Sequence, residues 1–325
     1  MKLKPSPVTT VTPPDRVAWD SLVAAAPEAT VFHTSAWAEL WLSEWRGSRW
    51  VACVLEDGTG YLGGISAIVR NRGIGRTVFS MPYGSYGGPL LRPDLPDPAS
   101  ARQALLESYA RLAAGRWTLR SELTWYRGNR EEIPPRLEAA ERFTHVLPLE
   151  PDFETLARGF APPTRRLVRQ AEESGLTIRS AADESDVRAY YALAADTVRR
   201  RGGRPKPWSL YEWIYRTFVP AGIARYHLVH HGDTPVAGSL HLFHQGVAMN
   251  WLTVSSEASW PLRPNNFIIA GILATLCDAG YLEYDLGGSP AEAAGLIRFK
   301  EGWGAKRRPL VVAGRRSSVH RKLRG

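Results

Sequence analysis

The sequence predicts a mixed α/β (α+β) protein of two domains, on three observations. Its 325 residues exceed the length at which a single hydrophobic core usually stops growing. Two successive series of segments each run from helices through antiparallel strand-like runs to a further helix and strand. Between the series lies a polar stretch, residues 127–142, which contains Pro134-Pro135 and reads as a domain boundary.

Residues 1–15 are polar and proline-rich and read as a disordered leader. Asp15, just after Pro13-Pro14, is a cap for a short helix in which Val17, Leu22 and Val23 recur at helical spacing. Phe32-His33-Thr34-Ser35 starts a second helix, with Trp37, Leu40, Trp41 and Trp45 forming a stripe that suits packing better than a binding platform. Strand-like runs follow at 49–55, 61–70 and 76–81, with turns at Asp57-Gly58 and Arg72-Gly73. A glycine-rich loop over 83–89 contains Tyr86, Gly87 and Gly88. A helix over 99–114 and a strand over 117–126 complete a first domain of residues 16–142.

The second domain, residues 143–314, opens with a strand at 144–149 and a basic helix at 164–174 stopped by Gly175. Helices at 186–201 and 209–218 precede strand-rich runs at 224–231, 235–244 and 247–254. Residues 265–279 form a helix with Ile268, Ile272 and Leu276 on one face and Gly280 as its stop. An apolar strand over 281–286 then runs into Gly287-Gly288. Beyond it Arg298, Lys300 and Glu301 stand between Phe299 and Trp303, and a short strand is expected at 310–313. Residues 315–325 are a basic tail.

The net charge of +9 is mostly that end of the chain. Residues 306–325 hold eight basic side chains and no acid, so the remaining 33 basic residues face 32 acidic ones. Such a tail can contact nucleic-acid phosphates or an anionic membrane surface, or simply be solvated. A second basic cluster, Arg199, Arg200, Arg201, Arg204 and Lys206, is internal. With 44% hydrophobic and 22% charged residues the composition is that of a globular protein, and no window approaches the ~20 apolar residues of a membrane span. The N-terminus lacks the apolar core of a signal peptide, and Cys53 and Cys277 suit buried thiols of a reducing compartment, so a cytoplasmic location is expected.

No metal site is expected, since His241 and His244 lie three apart on a strand and so point to opposite faces. Arg70-x-x-Gly73-x-Gly75 fits the pyrophosphate loop of acetyl-CoA-dependent GNAT enzymes. That loop must follow a strand and open a helix, whereas Thr77-Val78-Phe79 here is another strand, so a hairpin turn is expected. The equivalent place in the second domain, residues 255–264, contains no glycine.

Several motifs in order resemble the FemABX family and its BioF2-like acetyltransferase relatives. They are Phe32 with Trp37, Gly87-Gly88-Pro89, Arg169-x-Ala171-x-x-x-Gly175, Thr197-x-x-Arg200-x-Gly202, Gly238, Arg263-x-Asn265, Asp285-Leu286-Gly287, and Phe299-Lys300-x-x-Trp303-Gly304. The resemblance spans about residues 30–305. It implies two tandem GNAT-like domains around a shared cleft, and an N-acyltransferase that forms an amide on an acceptor amine without a metal or a bound cofactor. It implies Lys300 at the catalytic centre, Arg200 on an acceptor phosphate, and Tyr86, Gly87, Gly88, Phe299, Trp303 and Arg263 around the substrates. FemABX enzymes move an amino acid from aminoacyl-tRNA to a peptidoglycan precursor, so aminoacyl-tRNA and an amine-bearing cell-envelope precursor are the expected partners.

The long helical hairpin of some FemABX members is missing, which leaves acyl-CoA as the alternative donor. A non-catalytic protein that binds tRNA or envelope precursors is the reading from another class. As a cation Lys300 would stabilise a developing oxyanion. Asp285 would orient or deprotonate the amine, or instead accept N–H bonds from the Gly287-Gly288 turn.

Overall fold

The computed structural model describes residues 8–316. They form two compact units, one made of residues up to Phe143 together with those from Pro309, the other of Thr144–Arg308.

The first unit contains β1 (Thr9–Val11), α1 (Arg16–Ala25), α2 (Ser35–Glu44), β2 (Ser48–Asp57), β3 (Gly60–Arg72), β4 (Gly75–Ser80), β5 (Leu90–Leu91), α3 (Pro98–Ala113) and β6 (Thr118–Tyr126). Its sheet runs β1-β2-β3-β4-β6, antiparallel except for the β4–β6 pair. Asp15 caps α1 by accepting from the Ala18 N–H at 2.8 Å, and Thr34 caps α2 through Trp37. The tryptophan stripe is packing for most of its length, with Trp37 and Trp41 fully buried. The expected leader is corrected in part: Thr9–Val11 pairs with β2, because the β-branched Thr9, Thr10 and Val11 suit an edge strand. Residues 1–7 lie outside the described residues. The Arg70–Gly75 motif is a hairpin, with Arg70 opposite Thr77 and Gly73 at a φ of +56°.

β7 (Glu138–Pro148) leads into the second unit. It is followed by α4 (Phe153–Arg158), α5 (Pro162–Glu172), β8 (Leu176–Ser180), α6 (Glu184–Arg200), α7 (Trp208–Trp213), β9 (Ala224–His231), β10 (Thr234–His244), β11 (Val247–Ser255), α8 (Pro264–Asp278), β12 (Glu283–Gly288) and α9 (Ala294–Glu301). The sheet order is β7-β12-β11-β10-β9-β8. α8 lays Ile268, Ile272 and Leu276 on Val229, Ala237, Ala248 and Tyr284 to form the core. Gly280 ends α8 at a φ of +72°, and Tyr281 N–H bonds back to Leu276 O, as a C-terminal glycine cap requires.

The residues following α9 form β13 (Lys306–Arg316), which pairs with β6 of the first unit from Leu310 opposite Tyr126 to Arg316 opposite Arg120. The last strand is thus longer than 310–313, and its pairing takes in the first two residues of the expected tail. Residues 317–325 of that tail lie outside the described residues. Among the described residues no helix is long and apolar enough to cross a membrane.

Candidate functional site

β11 and β12 run parallel and pair only from Val247 opposite Glu283 to Met249 opposite Asp285. Beyond those residues no pairing joins them, although β11 continues to Ser255 and β12 to Gly288. The parting coincides with a bulge that makes Trp251 the extra residue of β11, since Leu240 faces Leu252 while His241 faces Asn250. The ladder between these two adjacent parallel strands is therefore open toward their C-terminal ends.

Lys300 stands at this opening. α9 brings its side chain back to the end of β12, where Nζ donates to Gly287 O at 2.7 Å and to Gly288 O at 3.0 Å. An ammonium has three N–H donors, and the third has no protein partner among the described residues. Only 6% of Lys300 is exposed. Burial pushes its pKa down to about 8, against the opposing pull of the Asp285 carboxylate, so it remains mostly a cation at neutral pH.

Asp285, also buried, accepts from Thr144 Oγ at 2.5 Å and from Gly287 N–H at 2.8 Å. The φ of Gly287, +76°, is one that other residues rarely adopt, and it turns the strand end so that the adjacent carbonyls face Lys300. The carboxylate thus ties together the turn that receives the lysine, and we assign Asp285 a positioning role. Thr144 and the next residue, His145, were not singled out by the sequence, because a β7 position reveals its neighbours only once the strand order is known. The His145 ring is fully buried, with Nε2 3.9 Å from Glu301 Oε1. Burial and then the Lys300 charge lower its pKa, so it stays neutral beside that cation.

Arg200 lies at the end of α6 and reaches the loop between β11 and α8. Its Nη2 donates to Ser255 O at 3.2 Å, its guanidinium carbon lies 5.3 Å from the Trp260 ring centroid, and Glu257 approaches within 3.9 Å. Arg263 is exposed at the left-handed N-cap of α8, with Nε 3.4 Å from Gln170. Lys206 from the same basic cluster holds Nζ 4.5 Å from the Trp251 ring centroid. Arg200 and Lys206 thus approach residues of β11 and its following loop from the α6 side. Most of the loop's own N–H groups are already bonded: Ser256 to Val236 O, Ser259, Trp260, Leu262 and Arg263 within the loop, and Asn266 and Phe267 both to Arg263 O. Pro264 at the first turn of α8 has no N–H to offer.

Several residues expected around the substrates are held by packing. Trp303 is fully buried against Phe160, ring centroids 5.0 Å apart. Phe299 is half-buried and packs on the same core. Tyr86 is buried and stacks on Tyr126 at 5.0 Å. Gly87 donates its N–H to Thr124 O, and a Cβ there would meet Ser80 O at 2.4 Å. Gly88 has a φ of +106° and lies against Trp125. Aromatic rings and glycines beside a motif reveal tight packing as readily as ligand contact, and here packing accounts for them.

The profile of the acetyltransferase (GNAT) domain matches residues 163–301. No curated protein matches the chain. Among solved structures, FemX is similar with a TM-score of 0.65 and 15% identity, over 93% of this chain and 96% of FemX. A tandem GNAT protein from the clavulanic acid biosynthesis pathway gives 0.57 and 10%, covering 94% and 98% of the two chains. L-PGS from Bacillus licheniformis gives 0.56 and 13%, covering 95% and 94%. The two-unit fold is shared with these structures, and the segment that matches the acetyltransferase (GNAT) domain contains α5 to α9 and with them Lys300.

Proposed function

We propose that the protein transfers an amino acid from aminoacyl-tRNA to an amine on a cell-envelope precursor. The observation that carries this reading is the loop between β11 and α8, which contains no glycine, bonds most of its N–H groups to carbonyls of the chain and enters α8 through Pro264, a poor backbone cradle for the pyrophosphate of CoA. Arg200, Arg263 and the neighbouring basic cluster supply side-chain cations at that loop instead. The family resemblance supplies the donor and the acceptor class.

In the proposed reaction a neutral acceptor amine attacks the ester carbonyl of the donor. A C–N bond forms, the ester C–O bond breaks, the leaving ribose oxygen takes a proton, and the nitrogen loses one. Because the ester is already activated, holding the two reactants in place does much of the work. The third Lys300 N–H stabilises the oxyanion of the tetrahedral intermediate. Asp285 and Thr144 hold the β12 turn, and Arg200 holds a substrate phosphate.

The test is incubation with charged tRNA and, separately, with acyl-CoA, over candidate amines, with products read by mass. Transfer from charged tRNA that is abolished by RNase and falls steeply with salt is expected. Product from acyl-CoA alone would sink the reading and favour the second one, acyl-CoA-dependent N-acetylation, which the acetyltransferase profile supports. Arg200→Ala is expected to raise KM for the phosphate-bearing substrate about tenfold with kcat little changed, as loss of one charge-assisted contact predicts. An unchanged KM would remove Arg200 from substrate binding.

A further inference from the structure

The first unit carries a groove of about 470 Å³ against β3, β4 and β6 that the acyl-transfer chemistry does not use. Three arginines line it: Arg70 and Arg72 from the end of β3, and Arg120 from β6. So do three aromatic residues: Trp45 just past α2, Phe79 on β4, and Tyr83.

Cations and rings are interleaved. The Arg70 guanidinium carbon lies 5.1 Å from the Trp45 centroid, and that of Arg120 lies 5.4 Å from Phe79. The one acid in the groove, Glu122, is taken by Arg120 at 2.7 Å. Among the described residues no carboxylate lies within ion-pair distance of Arg70 or Arg72. Partial burial, and then the like charge of Arg72, lower the Arg70 pKa, with Tyr83 acting in the opposite sense.

Tyr83 is 55% exposed, with its ring centroid 5.1 Å from that of buried Trp41. Its φ of +60° and that of Met81, +62°, are costly for residues other than glycine. The chain thus spends backbone strain on a segment that leaves a large aromatic ring open at the groove. The Tyr83 ring also lies 6.1 Å from that of Trp45, so it lines the groove while much of the residue stays exposed.

We propose that this groove binds a nucleoside phosphate, its base against Tyr83 and Trp45 and its phosphate between Arg70 and Arg72. Guanidinium forks match phosphate oxygens, and exposed aromatic faces accept bases of any sequence. A bare anion would use the arginines and leave the rings idle. An extended peptide would need a free strand edge, whereas β4 and β6 are paired with each other here, Thr77 opposite Arg120 and Phe79 opposite Glu122. The assignment does not depend on the donor of the acyl group. The same moiety occurs in a free mononucleotide and at the 5′ end of single-stranded RNA.

The test is titration of the full chain with AMP and UMP by calorimetry and tryptophan fluorescence. Uridine, ribose 5-phosphate, inorganic phosphate and a short 5′-phosphorylated single-stranded oligoribonucleotide are run in parallel. Saturable nucleotide binding is expected, about tenfold or more tighter than uridine or ribose 5-phosphate. Tighter binding of the oligomer would identify an RNA end as the source, and equal binding a free nucleotide. Arg70→Gln should weaken nucleotides about tenfold, and Tyr83→Ala should weaken nucleotides but not ribose 5-phosphate. Arg72→Gln, at an exposed position, repeats the charge test should Arg70→Gln fail to fold. Absence of saturable binding by nucleotide and oligomer alike overturns the proposal. So does inorganic phosphate binding as tightly as a nucleotide, or affinity unaltered in every folded variant.

Discussion

Lys300→Met is expected to lower kcat about 100- to 1,000-fold, the usual effect of removing one oxyanion donor, equivalent to roughly 2.7–4 kcal/mol. The side chain is replaced by one of similar length, so α9 keeps its packing. Two carbonyls, Gly287 O and Gly288 O, lose a donor, which costs about 1–3 kcal/mol if they stay dry. Removal of a buried ammonium offsets part of that cost. Full turnover in the folded variant would dismiss the mechanism. The pH profile gives an independent reading. If the cation acts, kcat falls as pH rises through about 8, where the buried amine loses its proton. A rate that climbs through the same range would make Lys300 a base. Stability moves in the opposite sense to the expected activity. Between about pH 8 and the ordinary lysine value of 10.5 the unfolded chain still holds a proton that the folded chain has lost, so folding becomes more favourable with pH.

The strands and helices with strong periodicity could be read from the chain, and so could the dual succession of elements. α8 is the clear case, because a long apolar face, Pro264 at its start and Gly280 after its end agree on one element. α4, six residues capped by Asp152, is too short to show a period, and β8 is an edge strand with three of its five residues exposed. α9 was hidden for another reason. Gly295 and Gly302 argue against a helix locally, while the docking of Trp303 and the bonds of Lys300 to the β12 turn stabilise it from outside. Lys300, Asp285 and the Gly287-Gly288 turn could be singled out from their motifs, but the β7 residues around them could not. Thr144 and His145 stand more than 140 positions away, and only the antiparallel pairing of β7 with β12 brings them beside Asp285. The burial of Tyr86 and Trp303 was not legible either, because sequence shows that a ring is present and not which way it faces.

Trp303→Ala is expected to cost about 3–5 kcal/mol of stability, the range for truncating a large buried aromatic side chain. Trp303 is fully buried, packs on Phe160 at 5.0 Å and on Phe299 at 6.2 Å, and donates its backbone N–H to Lys300 O. The neighbouring backbone is equally constrained. Ala161 N–H bonds to Gly302 O, and a Cβ on Gly302 would lie 2.5 Å from Thr164 Oγ, so α5 seats directly on the end of α9. Removing the indole therefore loosens the anchor of the helix that carries Lys300, and kcat should fall further than the unfolded fraction explains. Trp303→Phe should be much milder, because the indole N–H has no hydrogen-bond partner among the described residues and a smaller ring can still fill most of the site. Denaturant unfolding and steady-state kinetics on both variants decide the matter. A structural anchor gives a lowered midpoint and reduced kcat in the alanine variant, with near-normal behaviour in the phenylalanine one. A raised KM with an unchanged midpoint would instead restore Trp303 to the substrate surface.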